Sequence, residues 1–451
     1  RLNHHSSADG HYDVSVPSTW MTRMHRSTLA RTRPLIAALL CCVAAQALAL
    51  DAKEKRIVRA VDARQAQALG LLAETVDIDS ATENHAGVRK VGVVLARELA
   101  DLGFETRWAD VPAEVGRAGH LVAVHRGTKG QRLLLIGHLD TVLEGERFRR
   151  DGNRAYGSGT ADMKGGNVII VEALRALHAA GALRDRQVTV VFTGDEEDPG
   201  APVELSREAL LAAGEQSDIA LGFEGGLPGV AVIGRRGIGT WRLQVTGRQA
   251  HSSGIFRESQ GYGAIFEAAR ILDRFREELR EPNLTYNPSV ILGGTTVTYD
   301  EASKGGTALG KTNVIPREVR VTGDLRFLSS EQFDAAREKM TAIVAESLSG
   351  TSAAISFEQE YPSMAPTDAN LRVLAVLDAV SRDLGAGPVI AQDPAERGAG
   401  DISFVCSGRL ACLDGLGAMG DDVHAPGEYA EVDTLLTQTQ RAALLFYRLT
   451  R

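Results

Sequence analysis

Aromatic residues are scarce. Phe, Trp and Tyr make up 5% of the 451 residues, which leaves no sign of the stacking platforms that bind nucleobases. Cysteine is scarcer still, with four in all, so the chain is not a small scaffold stapled by disulfides. Positive charge is in deficit. Beyond residue 49 there are 45 Lys and Arg against 56 Asp and Glu, a net of −11, and an acidic body repels phosphate backbones, so no nucleic-acid partner is expected. The apolar run from Leu35 to Ala49 is about 15 residues, against the roughly 20 that cross a bilayer. No stable membrane anchor is expected. What is present is 44% apolar residues in a length that, at roughly 150 residues per domain, makes about two or three cores.

Residues 1–49 read as upstream sequence followed by a secretory signal peptide at about 21–49. Arg23, Arg26, Arg31 and Arg33 precede the apolar run, Ala47-Leu48-Ala49 closes it, and charged DAKEK follows. We expect a secreted or periplasmic protein. Leu40, not a small residue, precedes Cys41, which argues against lipid attachment. Cys406 and Cys412 then remain, and an oxidising compartment lets such a pair close. Two small buried hydrophobes are the alternative, and both stay open.

From about Lys53, helix-period and strand-period segments alternate, the pattern of an α/β fold with a mainly parallel sheet. RLLLIG (132–137), QVTVVFTG (187–194) and DIALGF (218–223) are the continuous apolar runs of strands buried on both faces. Each stops at a polar cluster: His138 with Asp140, Asp195 to Asp198, and Glu224. In open parallel sheets, ligands bind beyond that end of the strands. Residues 165–180 between them read as a helix. The pattern changes near residue 239, where strand, helix, two strands, helix and strand follow in order. That is the ferredoxin-like βαββαβ arrangement, here inserted, because helices at 367–384 and 431–449 return to the first domain. The expected division is 50–238 and 361–451 for the α/β domain and 239–360 for the insert.

Two motifs lack the context their chemistry requires. GGTALGKT (305–312) satisfies the phosphate-loop pattern, but NVIPREVRV follows it and reads as a strand, not a helix. Gly415, Gly417 and Gly420 match G-x-G-x-x-G but lead into DDVHAPGEY. No Ser has Gly at both −2 and +2, which removes the serine-hydrolase elbow.

A hydrolytic two-metal site needs imidazole and carboxylate ligands, one shared carboxylate and an unligated base. Beyond the leader there are seven His: 85, 120, 125, 138, 178, 251 and 424. His138, His251 and His424 fall in loops rich in Gly and acid, His178 falls on a helix, and the others in polar segments. With Asp140, Asp162, Glu196, Glu197 and Glu224, they make a candidate metal centre. GHLDTV (137–142), YGSGTADMKGG (156–166), TGDEE (193–197), FEG (223–225), TGRQAHS (246–252), NVIP (313–316), DLRF (324–327) and VHAPGEY (423–429) occur in this order. In this the chain resembles the dinuclear-zinc metallopeptidases that include glutamate carboxypeptidase, aminoacylase and succinyl-diaminopimelate desuccinylase, the secreted glutamate carboxypeptidase branch above all.

The resemblance implies two zinc ions per subunit, with cobalt or manganese as possible substitutes. It implies that His138 and Glu224 hold one, Glu197 and His424 the other, and Asp162 both, with a cis peptide after Asp162. Glu196 is implied as general base and Asp140 as the residue that orients His138. His251 is implied to reach the partner subunit's site from a dimerisation lid and to stabilise the oxyanion. Asn313, Arg326 and the backbone at Gly398 and Gly400 are candidates for holding a substrate carboxylate. Tyr361-Pro362 stands where the folate-cleaving members have Arg-Pro, and TGDEE continues into DPGAPV, so glutamate selectivity is not implied. The expectation is an exported, homodimeric amidohydrolase cleaving next to a terminal carboxylate on a small molecule or peptide. An aminopeptidase of related two-zinc type and a noncatalytic peptide- or metal-binding module are the rivals.

Overall fold

The computed structural model describes residues 50–301, 303–406 and 409–451. The expected signal peptide lies outside the described residues. Three helices open the described chain: Ala52–Asp62, Gln65–Val76 and His85–Ala100. The first is set by a capping box, in which Asp51 accepts the Lys53 and Glu54 N–H groups and the Glu54 carboxylate accepts that of Asp51.

A six-stranded sheet follows, in the order Glu105–Ala109, His120–His125, Arg186–Thr193, Lys129–His138, Ile219–Gly222, Ala411–Leu413. The first two pairings are antiparallel and the other three parallel. Its central strand shows why RLLLIG is apolar without alternation. Leu133 and Leu135 enter one hydrophobic core, while Leu134 and Ile136 enter another on the opposite face. Each such side chain contributes about 1.5–3 kcal/mol by burial. The first core is closed by Lys164–Ala179 packed on Val432–Thr450.

The insert has its own core. Its antiparallel sheet runs Thr285–Gly294, Glu318–Phe327, Gly237–Gly247, Thr351–Tyr361, the ferredoxin-like order. Trp241, Leu243, Val245, Val319 and Val321 pack against Ala268, Ile271 and Phe275 of Ala264–Glu278 and Phe333, Met340 and Ile343 of Ser330–Ala345.

Two details differ from the sequence expectation. SVILGGTTVT is not one strand: it breaks at Thr295, and Thr296–Asp300 pairs instead with Gly305–Leu309. The break occurs where a Cβ on Gly294 would lie 2.4 Å from the Leu309 carbonyl oxygen, so the two backbones cross closely. The phosphate-loop look-alike is thus one arm of a hairpin, with no helix N-terminus behind it. His120 is not in a polar segment but fully buried at the start of its strand. Cys406 and Cys412 form a disulfide.

Candidate metal centre

Three parallel strands converge on one cluster. Lys129–His138 ends on His138, Arg186–Thr193 leads into Asp195, Glu196 and Glu197, and Ile219–Gly222 leads into Glu224. His138 and Thr193 are register partners, so imidazole and acidic loop start at one level. His138 is buried and its Nδ1–H donates to the Asp140 carbonyl at 3.0 Å. That fixes the ring with Nε2 3.2 Å from Asp162 Oδ1 and 3.9 Å from Glu224 Oε1. Asp162 Oδ2 lies 3.2 Å from His424 Nε2, which is also 3.2 Å from Glu197 Oε2. Each oxygen of Asp162 therefore faces a different imidazole, as a bridging carboxylate would.

The loops are held by their neighbours. Asp140 is fully buried and accepts the N–H of Glu196 on Oδ1 and of Glu197 on Oδ2, both at 3.1 Å. The opposite side of that loop rests on Arg207, also fully buried, which donates to Asp195 Oδ1 (2.6 Å), the Asp195 carbonyl (3.0 Å) and Asp401 Oδ1 (2.7 Å). The Tyr361 hydroxyl donates to the Glu196 carbonyl at 3.1 Å. Glu428 accepts the amides of Gly159, Ala161 and Asp162 at 2.8–2.9 Å and so pins the bridging residue. The peptide after Asp162 is cis. His424 lies in the turn between the paired strands Gly420–Asp421 and Tyr429–Glu431. The G-x-G-x-x-G run serves this site without any nucleotide: the Gly417 N–H donates to the Glu224 carbonyl at 2.9 Å, and a Cβ there would lie 2.1 Å from the Phe223 oxygen.

Asp162, Glu196, Glu197, Glu224 and His424 line one cavity of about 390 Å³. Burial and the charge of Asp162 push Glu224 up to about 8. Burial also raises Glu197, and burial with the charge of Glu224 holds Glu196 well above the usual carboxylate range. Hydrogen bonds to Asp162 and Glu197 raise His424 to about 10. Burial works against a charged His138, but its bonds to Asp140 and Asp162 outweigh that and raise it well above the ordinary histidine value. Asp162 alone of the cavity's ligand acids is held below the usual range, by His138 and His424 against burial; three acids and both imidazoles driven upward mark a site short of positive charge. Divalent cations would supply it, and the donors fit. His138, Asp162 and Glu224 form one group, Asp162, Glu197 and His424 another, and His138, Glu196 and Glu197 a third, each with its ligand atoms within 4.8 Å of one another. Glu197 Oε1 is buried with no hydrogen-bond partner among the described residues. Imidazole and carboxylate donors suit zinc and its first-row neighbours.

The sequence model of peptidase family M20/M25/M40 matches residues 134–448. The chain belongs to the M20 peptidases. It is a hydrolytic enzyme of the metallo-amidohydrolase kind. This M20 peptidase is 26% identical over 425 residues to carboxypeptidase G2 of a Pseudomonas species, covering 92% of this chain and 97% of that protein. It is 30% identical over 291 residues to a succinyl-diaminopimelate desuccinylase of Leptothrix cholodnii, covering 61% and 72%. Aminopeptidase PepT of Bacillus cereus shares its fold, with a TM-score of 0.68 at 19% identity over 86% of this chain and 99% of the other.

Not every candidate residue of the M20 chain gathers here. The insert brings His251 and Asn313 together, since the Ser252 N–H donates to the Asn313 carbonyl at 3.0 Å and His251 bridges to Val314. Both are exposed, and neither lines the cavity. Arg326 lies away from it too, with Nε 3.1 Å from Asp324 Oδ2 on the same strand. Gly398 lines the cavity, whereas Gly400 is buried against the Arg235 guanidinium, 3.0 Å from a Cβ built on it. Sequence reasoning missed Glu428, Arg207, Arg235 and Arg397. Glu428 sits inside VHAPGEY and is visible there as an acid beside a candidate ligand; the arginines carry no local signal.

Proposed function

We propose that this M20 peptidase hydrolyses an amide bond adjacent to a terminal amino-acid carboxylate, as a carboxypeptidase or an N-acyl-amino-acid amidohydrolase. The observation that carries the reading is Glu196. Its carboxylate lines the cavity and takes no hydrogen bond from the described residues; it falls within reach of His138 and Glu197, but Glu197 also faces His424 and groups with Asp162, which leaves Glu196 as the acid free to act as base. His138 and Glu224 would hold one metal, Glu197 and His424 the other, and Asp162 both. Zinc is the metal proposed, with cobalt or manganese as substitutes. Two such cations, when bound, lower the pKa of water toward neutrality and polarise the scissile carbonyl. Glu196 takes the proton from the attacking water and delivers it to the leaving nitrogen. Asp140 keeps the base loop and the His138 ring in place through the bonds described above.

Among the described residues, none of the insert lines the cavity of one chain, so the proposal includes a homodimer in which His251 and Asn313 of the partner subunit complete the site. The extent of the likeness to carboxypeptidase G2 supports cleavage beside a free carboxylate. Export is proposed as well: the disulfide fits an oxidising compartment, and among the described residues no helix is long and apolar enough to cross a membrane.

The test is hydrolysis of N-acyl amino acids, dipeptides and γ-glutamyl conjugates, with blocked-carboxylate and blocked-amine controls. Chelator-sensitive turnover that requires the free carboxylate is expected, and Glu196→Gln should lower kcat about 10²- to 10⁴-fold with metal retained. Turnover of the Gln variant within tenfold of wild type would sink the mechanism, and indifference to a blocked carboxylate would sink the substrate class.

A further inference from the structure

The proposed reaction leaves one cation in the cavity wall without a role. Arg235 and Arg397 both line the cavity that holds Asp162, Glu196, Glu197 and Glu224. Arg235 is paired within the protein: Nε donates to Asp414 Oδ2 at 2.7 Å, and Nη1 donates to the carbonyls of Gly398 (3.0 Å) and Ala399 (2.9 Å), with only Nη2 buried and unpartnered among the described residues. Arg397 forms no ion pair among the described residues. Among the described residues its guanidinium makes one hydrogen bond, from Nη2 to the Gly225 carbonyl at 2.7 Å. Its Nε is buried with no hydrogen-bond partner among the described residues.

The cavity wall also carries Glu396 and Asp421, six carboxylates in all with Asp162, Glu196, Glu197 and Glu224, yet among the described residues none of them is in ion-pair contact with Arg397. A half-buried guanidinium without an ion-pair contact is costly: burial and the like charge of Arg235 outweigh the attraction of Asp414, Glu224 and Asp162 and lower its pKa. There is room for a counterion. A Cβ built on the adjoining Gly398 meets no atom within 4 Å, so the cavity is open alongside Arg397. Arg326, the arginine expected for this task, is engaged with Asp324 and lies outside the cavity.

We propose that Arg397 is the anion-binding residue of the metal cavity and that its planar guanidinium receives a carboxylate of the substrate. This rests on the amidohydrolase reading and names a specificity residue within it. The carboxylate is either the terminal one beside the scissile bond or a second one on the side chain, and the two sources are separable. Because Arg397 sits on the α/β domain, the contact needs neither the insert nor a second subunit.

The experiment compares the zinc-loaded wild type with Arg397→Gln and Arg397→Lys on N-acetylglutamate and its isostere N-acetylglutamine. Arg397→Gln should raise KM about 10²-fold on carboxylate substrates, with zinc content and thermal midpoint unchanged. Arg397→Lys, which keeps the charge but not the fork, should recover part of that loss. A loss shared by both substrates assigns Arg397 to the terminal carboxylate, and one confined to N-acetylglutamate assigns it to the side chain. KM values unchanged in both variants on both substrates overturn the proposal.

Nη2 also holds Gly225 next to Glu224, so Arg397→Gln could shed metal. In that case the Lys variant decides, a tenfold or greater rise in KM supporting the assignment and a wild-type KM refuting it. Failure of the hydrolase reading looks different: the wild type itself is silent. Calorimetric binding of N-acetylglutamate to zinc-loaded wild type and variants then provides the readout, with equal affinities refuting the role of Arg397.

Discussion

Asp140→Asn tests the support of the base loop directly, because both oxygens of this carboxylate are in use. Oδ1 accepts the Glu196 N–H at 3.1 Å, while Oδ2 accepts the Glu197 N–H at 3.1 Å and the Thr82 hydroxyl at 2.8 Å. Burial opposes the charge, but the bonds to His138 and Thr82 hold Asp140 below its ordinary value, so it is ionised. An amide offers one acceptor, and its NH₂ then meets a backbone N–H in either orientation. Placed at Oδ1 it opposes Glu196; placed at Oδ2 it opposes Glu197, although Thr82 can turn its hydroxyl to accept. One buried donor is orphaned either way, which costs about 1–3 kcal/mol, with weakening of the remaining charge-assisted bond on top. A total of about 2–3 kcal/mol corresponds to a thermal midpoint lowered by about 4–12 °C in a domain of this size class. The functional cost is larger than the structural one, since residues that orient metal-binding side chains typically change metal affinity or activity about 10- to 100-fold. Zinc titration by calorimetry and kcat at saturating metal would read this, with KM little changed. If affinity and kcat both stayed within threefold of wild type, the positioning argument would be refuted.

Metal removal should act on stability as well as activity: zinc at about 100 times its Kd adds about 2.7 kcal/mol to the native state, and a thermal midpoint indifferent to chelator would speak against the cluster as a metal site. Arg207→Met leaves Asp195 and Asp401 buried without their cation, and denaturant unfolding should show a loss of about 3–5 kcal/mol; a loss under about 1 kcal/mol would mean the network carries little. His120 supplies a pH dependence. Burial lowers its pKa, and the ring is held neutral, with Nε2–H donating to the Ser206 carbonyl (2.6 Å) and Nδ1 accepting the Gly194 N–H (3.1 Å). Below about pH 6.5 the unfolded chain gains a proton that the native ring lacks, so its contribution is lost as the pH falls from there toward the depressed native value. His120→Gln should flatten that limb of a midpoint-versus-pH curve; a limb as steep as in the wild type would exclude His120 as its source.

Much of the architecture is legible from local pattern. The helices expected at 165–180, 367–384 and 431–449 form as Lys164–Ala179, Asp368–Asp383 and Val432–Thr450, because side-chain periodicity reports which face is buried. The strand ends at His138, Thr193 and Gly222 are legible for the same reason, since a two-sided apolar run must stop where the chain reaches solvent or a ligand cavity. The strand across Gly293 and Gly294 was not, because composition alone does not show that another backbone crosses there.

By itself the sequence determined the kind of protein: acidic, α/β with an inserted ferredoxin-like unit, and furnished with imidazole and carboxylate groups at the ends of buried strands. Tertiary structure decided which of those groups meet, and what steadies them. Asp162 touches both His138 and His424, Glu428 binds the Asp162 loop from 266 to 269 residues away, and Arg207 reaches Asp401 across 194 residues. It also decided that Arg397 enters the metal cavity while Arg326, His251 and Asn313 do not. The physical reason is range. Periodicity and motif spacing encode contacts within a turn or a strand, whereas a buried charge is balanced by whatever the packed chain brings beside it, and that partner has no fixed distance in sequence.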